Sequence, residues 1–358
     1  MDNSKRIVAA VRDAGVDQRR LSITGAGSKG AWLPTASGEM LTMTEHTGIV
    51  TYDPAELVVT VRAGTTIKDL VAELAHAGQM LAFEPPQFHD TGTVGGMVSS
   101  GLSGPARPWG GSVRDAVLGV ELVNGIGEHL RFGGQVMKNV AGYDVSRLAT
   151  GAFGALGAIL QVSLRVQPIS EQRATVVFEL DPQTAIDQCR KLAQSHWPVS
   201  ASWWIGGQLH VRLSGSAVGV AQAAEQLGGK RSEGGEMWAE VRDHNLAFFK
   251  AASMDSVGNA EQKLWRIIVP PASPVAGLLA GDATAMALEW GGGLRWLWHD
   301  DADLVARYTR DCNGWAWALG ESMPIEQLQK KYMRAIKQAF DPAGLFASPL
   351  DFGSGDED

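Results

Sequence analysis

The stretch Pro85–Gly111, PPQFHDTGTVGGMVSSGLSGPARPWGG, restricts what this chain can fold into more than any other. Its twenty-seven residues hold seven glycines and four prolines, with little charge. That composition is too stiff and polar for a core strand and too glycine-rich for a helix. Glycine allows positive φ and lets main-chain N–H groups approach a ligand with no Cβ in between. A plain surface loop is the alternative. However, long loops inside compact domains are commonly functional, and apolar segments flank this one on both sides.

Two more glycine segments reinforce the point. Arg20–Thr24 reads as a short strand that runs into Gly25-Ala26-Gly27-Ser28-Lys29-Gly30. The hexamer matches GxGxxG literally. A dinucleotide fingerprint of the Rossmann type needs a helix opening on the third glycine, and Ala31-Trp32-Leu33-Pro34-Thr35 follows instead. The loop can still cradle a phosphate through its N–H groups as a nest. The third segment, Lys138–Val166, reads as a short helix over Asp144–Ala149, then Gly151, Gly154 and Gly157, then an alternating β-run over Ile159–Val166. Each glycine segment alone reads equally well as a turn. Three in one domain point to a site for a pyrophosphate and part of a flat ring system.

The remaining pattern is mixed α and β. The N-terminus MDNSKRIVAAVRDAG reads as an amphipathic helix without the apolar core of a signal peptide. Met40–Thr51 and Leu57–Ala63 read as strands. A helix capped at Thr65 or Thr66 follows, with Ile67, Leu70, Val71 and Leu74 on one face and Gly78 at its end. Val117–Val123 and His129–Phe132 read as strands around Asn124-Gly125.

From Pro168 the composition changes, and ten of the twelve tryptophans lie between Trp197 and Trp317. Strand Arg173–Leu180, helix Thr184–Gln194, hairpin Ala201–Ile205 with Leu209–Leu213, and helix Ala217–Leu227 form a split βαβ order. A related order follows through Trp265–Val269, Val275–Leu279, Ala285–Trp290 and Leu294–Trp298, so two related halves are expected. Ile325–Phe340 reads as an amphipathic helix with Leu328, Tyr332 and Ile336 on one side and Lys330, Lys331, Arg334 and Lys337 solvated. Asp341-Pro342 stops it. The expected division is 1–168, 169–323 and 324–358, ending in an acidic tail.

A net charge of −8 argues against a nucleic-acid partner. Two cysteines, Cys189 and Cys312, show no metal or redox spacing and suit a reducing cytoplasm. No run of eighteen apolar residues is present, so no membrane-spanning segment is expected.

Taken jointly, the motifs resemble the FAD-binding domain of the vanillyl-alcohol oxidase and p-cresol methylhydroxylase (PCMH) family. GAGSK at 25–29 matches the pyrophosphate loop of that family. Thr93-Val94-Gly95-Gly96 with Ser99-Ser100-Gly101 matches the loop lining the flavin. Gly142-Tyr143-Asp144-Val145, Leu148 and Gly151–Ile159 match the motif closing on the adenine side, and Asp341–Phe346 matches a tail motif that returns to the flavin domain. The resemblance implies an α+β fold: a two-subdomain PCMH-type FAD-binding domain plus a second α+β cap domain of split βαβ, ferredoxin-like order. It implies FAD contacts at Gly25, Ala26, Gly27, Ser28, Lys29, Pro85, Thr91, Thr93, Gly95, Gly96, Ser99, Ser100, Gly101, Gly154, Gly157 and Ile159. Within the family the chain is most similar to FAD-binding subunits of bacterial glycolate oxidase (glycolate dehydrogenase) complexes. That similarity implies a catalytic flavoprotein subunit and an iron–sulfur subunit as partners, and a cytoplasmic chain held peripherally at the inner membrane through them.

The departures from the family pattern shape the functional expectation. Phe153 and Ala155 stand where catalytic members carry Glu and Thr. His196, His210, His244 and His299 are scattered, with no metal-linked substrate signature. Nothing in the first glycine loop could attach the flavin covalently, so FAD is expected to be non-covalent. His89, beside the second loop, is a candidate proton relay or a hydrogen-bonding spacer. Lys29 either neutralises a pyrophosphate or is a solvated cation. Lys138, Tyr143, Asp144 and Arg147 either line the flavin or pack and cap. No catalytic residue and no metal ligand is assigned. Three functions follow: an FAD-binding subunit of a glycolate-oxidising complex, a stand-alone FAD-dependent hydroxy-acid oxidoreductase, or a structural subunit that has lost FAD.

Overall fold

The structure is a computed structural model that describes residues 1–34, 37–134, 145–232, 235–250, 262–278, 286–350 and 352. The chain opens on helix α1 (Ser4–Val16), which buries Ile7, Val11 and Ala14 at helical spacing. Strands β1 (Leu21–Thr24) and β2 (Glu39–Thr42) pair in parallel. Next come β3 (Ile49–Asp53) and β4 (Val58–Arg62), and then α2 (Ile67–His76). Thr66 caps α2 by accepting from the Asp69 N–H, and Gly78 beyond it takes φ 67°. The short β5 (Gln79–Met80) leads into the glycine-rich stretch.

That stretch contains a helix, against the expectation from its composition. Helix α3 covers Val94–Ser100, with Thr93 as its cap and Gly101 ending it at φ 64°. Two short turns follow, α4 (Arg107–Gly110) and α5 (Val113–Ala116); a Ser112–Asp115 capping box starts the second. The glycines disfavour a free helix, but tertiary contact outweighs the penalty. Gly95 sits where a Cβ would lie 2.8 Å from the Ala63 Cβ. The Val94 and Gly95 N–H groups donate to Thr65 O at 2.9 Å and Ala63 O at 2.7 Å. Only glycine allows that approach.

Strands β6 (Val117–Val123) and β7 (His129–Gly133), helix α6 (Val145–Leu148), and strands β8 (Ala158–Arg165) and β9 (Gln167–Pro168) complete the first lobe. Its sheet runs β3-β4-β8-β6-β7. Val59, Val61, Val120, Val162 and Leu164 pack beneath α2 and α3. Each such side chain contributes roughly 1.5–3 kcal/mol on burial. Gly142, Tyr143, Lys138 and Asp144, including the start of the helix expected over Asp144–Ala149, lie outside the described residues.

The second lobe is built on β10 (Gln172–Glu179), α7 (Pro182–Ala193), β11 (Val199–Ile205), β12 (Gln208–Gly215), α8 (Ala217–Gln226) and β13 (Lys230–Ser232). Helices α9 (Met237–Arg242) and α10 (Ala247–Lys250) cross over to β14 (Lys263–Ile268), β15 (Met286–Glu289), β16 (Leu294–His299), α11 (Ala302–Asp311) and β17 (Trp315–Ala318). One eight-stranded sheet results, in the order β13-β10-β12-β11-β15-β16-β14-β17. Numbered within each half, the order is 4-1-3-2 followed by 2-3-1-4, so the halves are mirror-ordered. They join through β11 and β15, where Trp203 faces Glu289. The two related halves expected from the sequence are present, and the first has the split βαβ order. One sheet face carries α7, α8 and α11; the other, rich in tryptophan, faces the first lobe.

Helix α12 (Gln327–Phe340) and the segment after it return to the first lobe. Leu21 bridges Phe346, and Leu345 and Phe346 pack with Ile7, Val11 and Leu21. The polarity of α12 departs from the expectation in part, although Lys331 is exposed and Ile336 half-buried as expected. Leu328 and Tyr332 are exposed, whereas Lys337 turns inward and donates to Ala155 O, Phe346 O and the Asp341 carboxylate. At Lys337 the inward face meets two carbonyls and a carboxylate, which a cation satisfies, while Phe340 packs against Phe132 and the first-lobe core.

Asp341 is buried and accepts from the Leu345 and Phe346 N–H groups, each at 2.8 Å. Asp341→Ala leaves the part-buried Lys337 ammonium without its carboxylate and strands two N–H groups, which should cost about 3–5 kcal/mol. Urea denaturation checks this. A loss of less than about 1 kcal/mol would mean the segment is not held by this carboxylate.

Candidate cofactor-binding site

A cleft of about 450 Å³ opens where the glycine segments meet. One wall is the loop after β1. Ile23 and Thr24 lead into Gly25-Ala26-Gly27-Ser28-Lys29-Gly30, all lining the cleft. Gly27 takes φ 68°, and the loop closes through Gly30 N–H to Gly27 O at 2.9 Å. Among the described residues no helix opens between Ala31 and Pro34, as expected. The N–H groups of Gly25, Ala26, Gly27, Ser28 and Lys29 have no acceptor among the described residues. A row of main-chain donors along a cleft needs an acceptor from outside the chain, and an anion supplies one.

The opposite wall is α3. Thr93, Gly95, Gly96, Ser99 and Ser100 line the cleft. The helix start is itself occupied: Val94 and Gly95 donate into the β4–α2 connection, and Gly96 donates to Thr93 Oγ1 at 3.2 Å. Phosphate binding therefore falls to the first loop rather than to the helix terminus. Gly25 faces Thr93 so closely that a Cβ would overlap the threonine Oγ1. Loop and helix thus touch main chain to side chain, which fixes the width of the cleft.

Lys29 is the cation of the site. Its side chain is half-buried, with Nζ 5.1 Å from the centre of the Phe88 ring. Among the described residues no carboxylate pairs with it. Burial pushes its ammonium down to about 8 from the usual 10.5. A lysine held without a counter-ion beside five unpaired N–H groups fits a diphosphate. The apolar remainder of the lining, Ile23, Leu33, Met40, Met43, Phe153 and Ile159, fits aromatic rings.

Twelve of the sixteen residues expected to contact FAD line this cleft: Gly25 to Lys29, Thr93, Gly95, Gly96, Ser99, Ser100, Gly154 and Ile159. Pro85, Thr91, Gly101 and Gly157 do not. Thr91 donates to Phe88 O at 3.1 Å. Gly101 ends α3, and Gly157 packs against Val123 O. The cleft also takes Ser22, Gly38, Met40, Met43, Ala63, Ala347 and Pro349, which the motif reading missed. Ala347 and Pro349 follow the tail motif directly, and that adjacency was the available signal. His89 is exposed at φ 58° and does not line the cleft.

Between the cleft and the second lobe lies an aromatic layer. Trp32 meets Phe88 at 5.2 Å, His244 at 4.5 Å and Trp296 at 6.0 Å between ring centres. Phe249 adds contacts to His244 and Trp296 at 4.6 and 5.2 Å. Burial, reinforced by nearby Arg266, pushes His244 down to about 3, so its imidazole stays neutral and packs as a ring.

Comparison with known proteins agrees with this geometry. Residues 1–133 match the family described as FAD binding domain. The chain is 38% identical over 350 residues to the glycolate oxidase subunit GlcE of Escherichia coli (strain K12), with 96% of each chain covered. It is 30% identical over 155 residues to the glycolate oxidase subunit GlcD of Bacillus subtilis (strain 168), covering 43% of this chain and 33% of that one. A solved alkyldihydroxyacetonephosphate synthase superposes with a TM-score of 0.70 at 14% identity, over 97% of this chain and 75% of that one. The chain is thus an FAD-binding protein of the FAD-dependent oxidoreductase class. Within that class, the chain belongs to the family of the glycolate oxidase subunit GlcE.

Gly95→Ala tests the contact that sets the cleft. Alanine gains roughly 0.5–1 kcal/mol of helix propensity, but its Cβ meets Ala63 Cβ at 2.8 Å and Ala63 O at 3.1 Å. Overpacking of that kind costs roughly 1–3 kcal/mol, so the balance should be a lower urea midpoint and weaker flavin retention. An unchanged midpoint would show that α3 can back away from β4 without penalty.

Proposed function

We propose that this chain is the FAD-binding subunit of a glycolate-oxidising complex. It holds FAD non-covalently in the cleft while glycolate becomes glyoxylate and the two electrons pass to a partner. FAD supplies the two-electron redox chemistry; the chain supplies binding, orientation and shielding. The observation that carries the reading is the run of five unpaired N–H groups at Gly25–Lys29 converging with the uncompensated Lys29 ammonium on one cleft.

In this reading the Gly25–Lys29 N–H groups and Lys29 Nζ receive the diphosphate. Thr93, Gly95, Gly96, Ser99, Ser100, Gly154 and Ile159 form the remaining contacts. Pro85, Thr91, Gly101 and Gly157 act one step away by shaping the segments that carry those residues. The similarity to GlcE, a glycolate oxidase subunit by name, supports the substrate. A catalytic flavoprotein subunit and an iron–sulfur subunit are the proposed partners, with any membrane association made through them. The aromatic layer of Trp32, Phe88, His244, Phe249 and Trp296 favours oxidation of the acid on a partner. It fills the space between cleft and cap with packed rings, and Phe153 lines the cleft where catalytic relatives carry a glutamate.

Two measurements test this. The purified chain should show flavin absorption, and acid precipitation should release it into the supernatant. Glycolate should then bleach the flavin only when the partner subunits are present. A colourless chain that takes up no added FAD sinks the proposal. Bleaching of the isolated chain assigns it a substrate site of its own.

The second measurement is pH dependence. Without ligand Lys29 is neutralised as pH rises through about 8, and a bound diphosphate restores its charge and raises its pKa. Binding then takes up a proton above that pH. FAD affinity should be flat below pH 8 and fall by up to about tenfold per unit above it. Lys29→Met should bind more weakly at neutral pH and show no such fall. Parallel pH profiles for both proteins would remove Lys29 from the site.

A further inference from the structure

A second cavity, of about 490 Å³, lies on the tryptophan-rich face of the cap sheet, where Arg173 and Arg212 reach Met80 and Glu84 of the first lobe. Its lining includes Arg173 and Thr175 of β10, Arg212 of β12 and Trp238 of α9. None of these residues belongs to the cofactor cleft. The rear wall is rigid. Arg212 is buried; its Nε donates to Ser200 Oγ at 2.9 Å, its Nη2 donates to Glu84 at 2.9 Å, and its guanidinium lies 5.1 Å from the Trp238 ring centre. Trp238 is fixed in turn by donating Nε1–H to Thr175 Oγ1 at 2.9 Å. Thr175 stands directly opposite Arg212 in the ladder.

Arg173 is the open element. Three arginines, Arg173, Arg212 and Arg231, line the cavity, and among the described residues Glu84, which reaches this corner, is committed to Arg212. Among the described residues Arg173 donates from Nη2 to the Met80 thioether at 3.4 Å, a weak acceptor for a five-donor fork. Burial and the neighbouring Arg212 both act to lower the Arg173 pKa, and Glu84 only partly opposes them. A cavity with a surplus positive charge, a preset planar fork and an indole wall has the chemistry of an oxyanion site.

We infer that this pocket binds a small oxyanion, a carboxylate or a phosphate group, through Arg173, with Arg212 and Trp238 as its fixed wall. The site is separate from the cofactor cleft and does not depend on the function proposed above. It lies at the seam between the lobes, because Glu84 belongs to the first lobe and Arg212 to the second. An anion there relieves the repulsion between the Arg173 and Arg212 guanidinium groups and should stabilise the seam.

The test uses the full chain with whatever flavin it retains, titrated by calorimetry and thermal melting with sodium oxalate and, separately, inorganic phosphate. Sodium chloride at equal ionic strength is the control. One equivalent of at least one probe should bind and raise the melting temperature. Arg173→Gln should weaken binding by about tenfold or more, as expected for losing a charge-assisted pair. Arg173→Lys, which keeps the charge but not the fork, should fall between. Arg131→Gln on the far lobe should bind like the parent. Preference for oxalate marks a carboxylate ligand, and preference for phosphate marks a phosphate monoester. No saturable binding of either probe up to about 50 mM, or equal binding by Arg173→Gln, overturns the inference. A lost flavin spectrum with intact anion binding would sink the cofactor proposal alone.

Discussion

At Gly95 and Ala63 two backbones approach more closely than any side chain would permit, and the cofactor lobe depends on that contact. Gly95 N–H donates to Ala63 O at 2.7 Å, and a Cβ at residue 95 would sit 2.8 Å from the Ala63 Cβ. The contact fastens α3 to the end of β4. Once α3 is placed, Thr93 stands against Gly25 and the β1 loop has its distance from the helix. A seven-residue helix with two adjacent glycines would not persist alone. It persists here because its first N–H groups end on Thr65 O, Ala63 O and Thr93 Oγ1. The same economy explains why the phosphate-binding capacity lies in the Gly25–Lys29 loop: the helix has already used its donors, and the loop has not.

The chain closes this lobe with its own far end. Leu345 and Phe346 complete the core that α1 and β1 begin, and Ala347 and Pro349 reach the cleft. The clip is Asp341, whose carboxylate gathers two N–H groups and the Lys337 ammonium in a buried place. The cap is thereby inserted between two parts of one lobe and tethered at both ends. Across the seam, Trp290 Nε1 donates to Gly104 O at 3.0 Å and Gln87 N–H donates to Asp243 at 2.7 Å. The glycine-rich stretch accepts in the first bond and donates in the second, so it meets the cofactor cleft on one side and the cap on the other.

Much of this was legible in the residues. Val117–Val123 reads as a strand and is one, and the Thr66 cap of α2 follows from TTIKD. The split βαβ order could be read because each element there is long and periodic. Three features were not legible, each for a physical reason. Helix α3 was hidden because glycine propensity is local, whereas the Ala63 contact that overrides it lies thirty-two residues away. The inward turn of Lys337 was hidden because hydropathy assigns lysine to water and cannot see a cluster of carbonyls. Pro85 and Thr91 were grouped with the site by motif, yet sequence proximity to a cleft is not contact with it.

The exposed face of α12 follows from the same inward turn. With Lys337 drawn in toward Ala155 O and Asp341, the helix cannot also turn Leu328 and Tyr332 inward, because they lie on the other side of its axis. They stand 82% and 68% exposed. The polar clip that returns the C-terminal segment to the cofactor lobe therefore dictates which side of the last helix meets water. The stability of the lobe, rather than the hydropathy of the helix, sets the character of that surface.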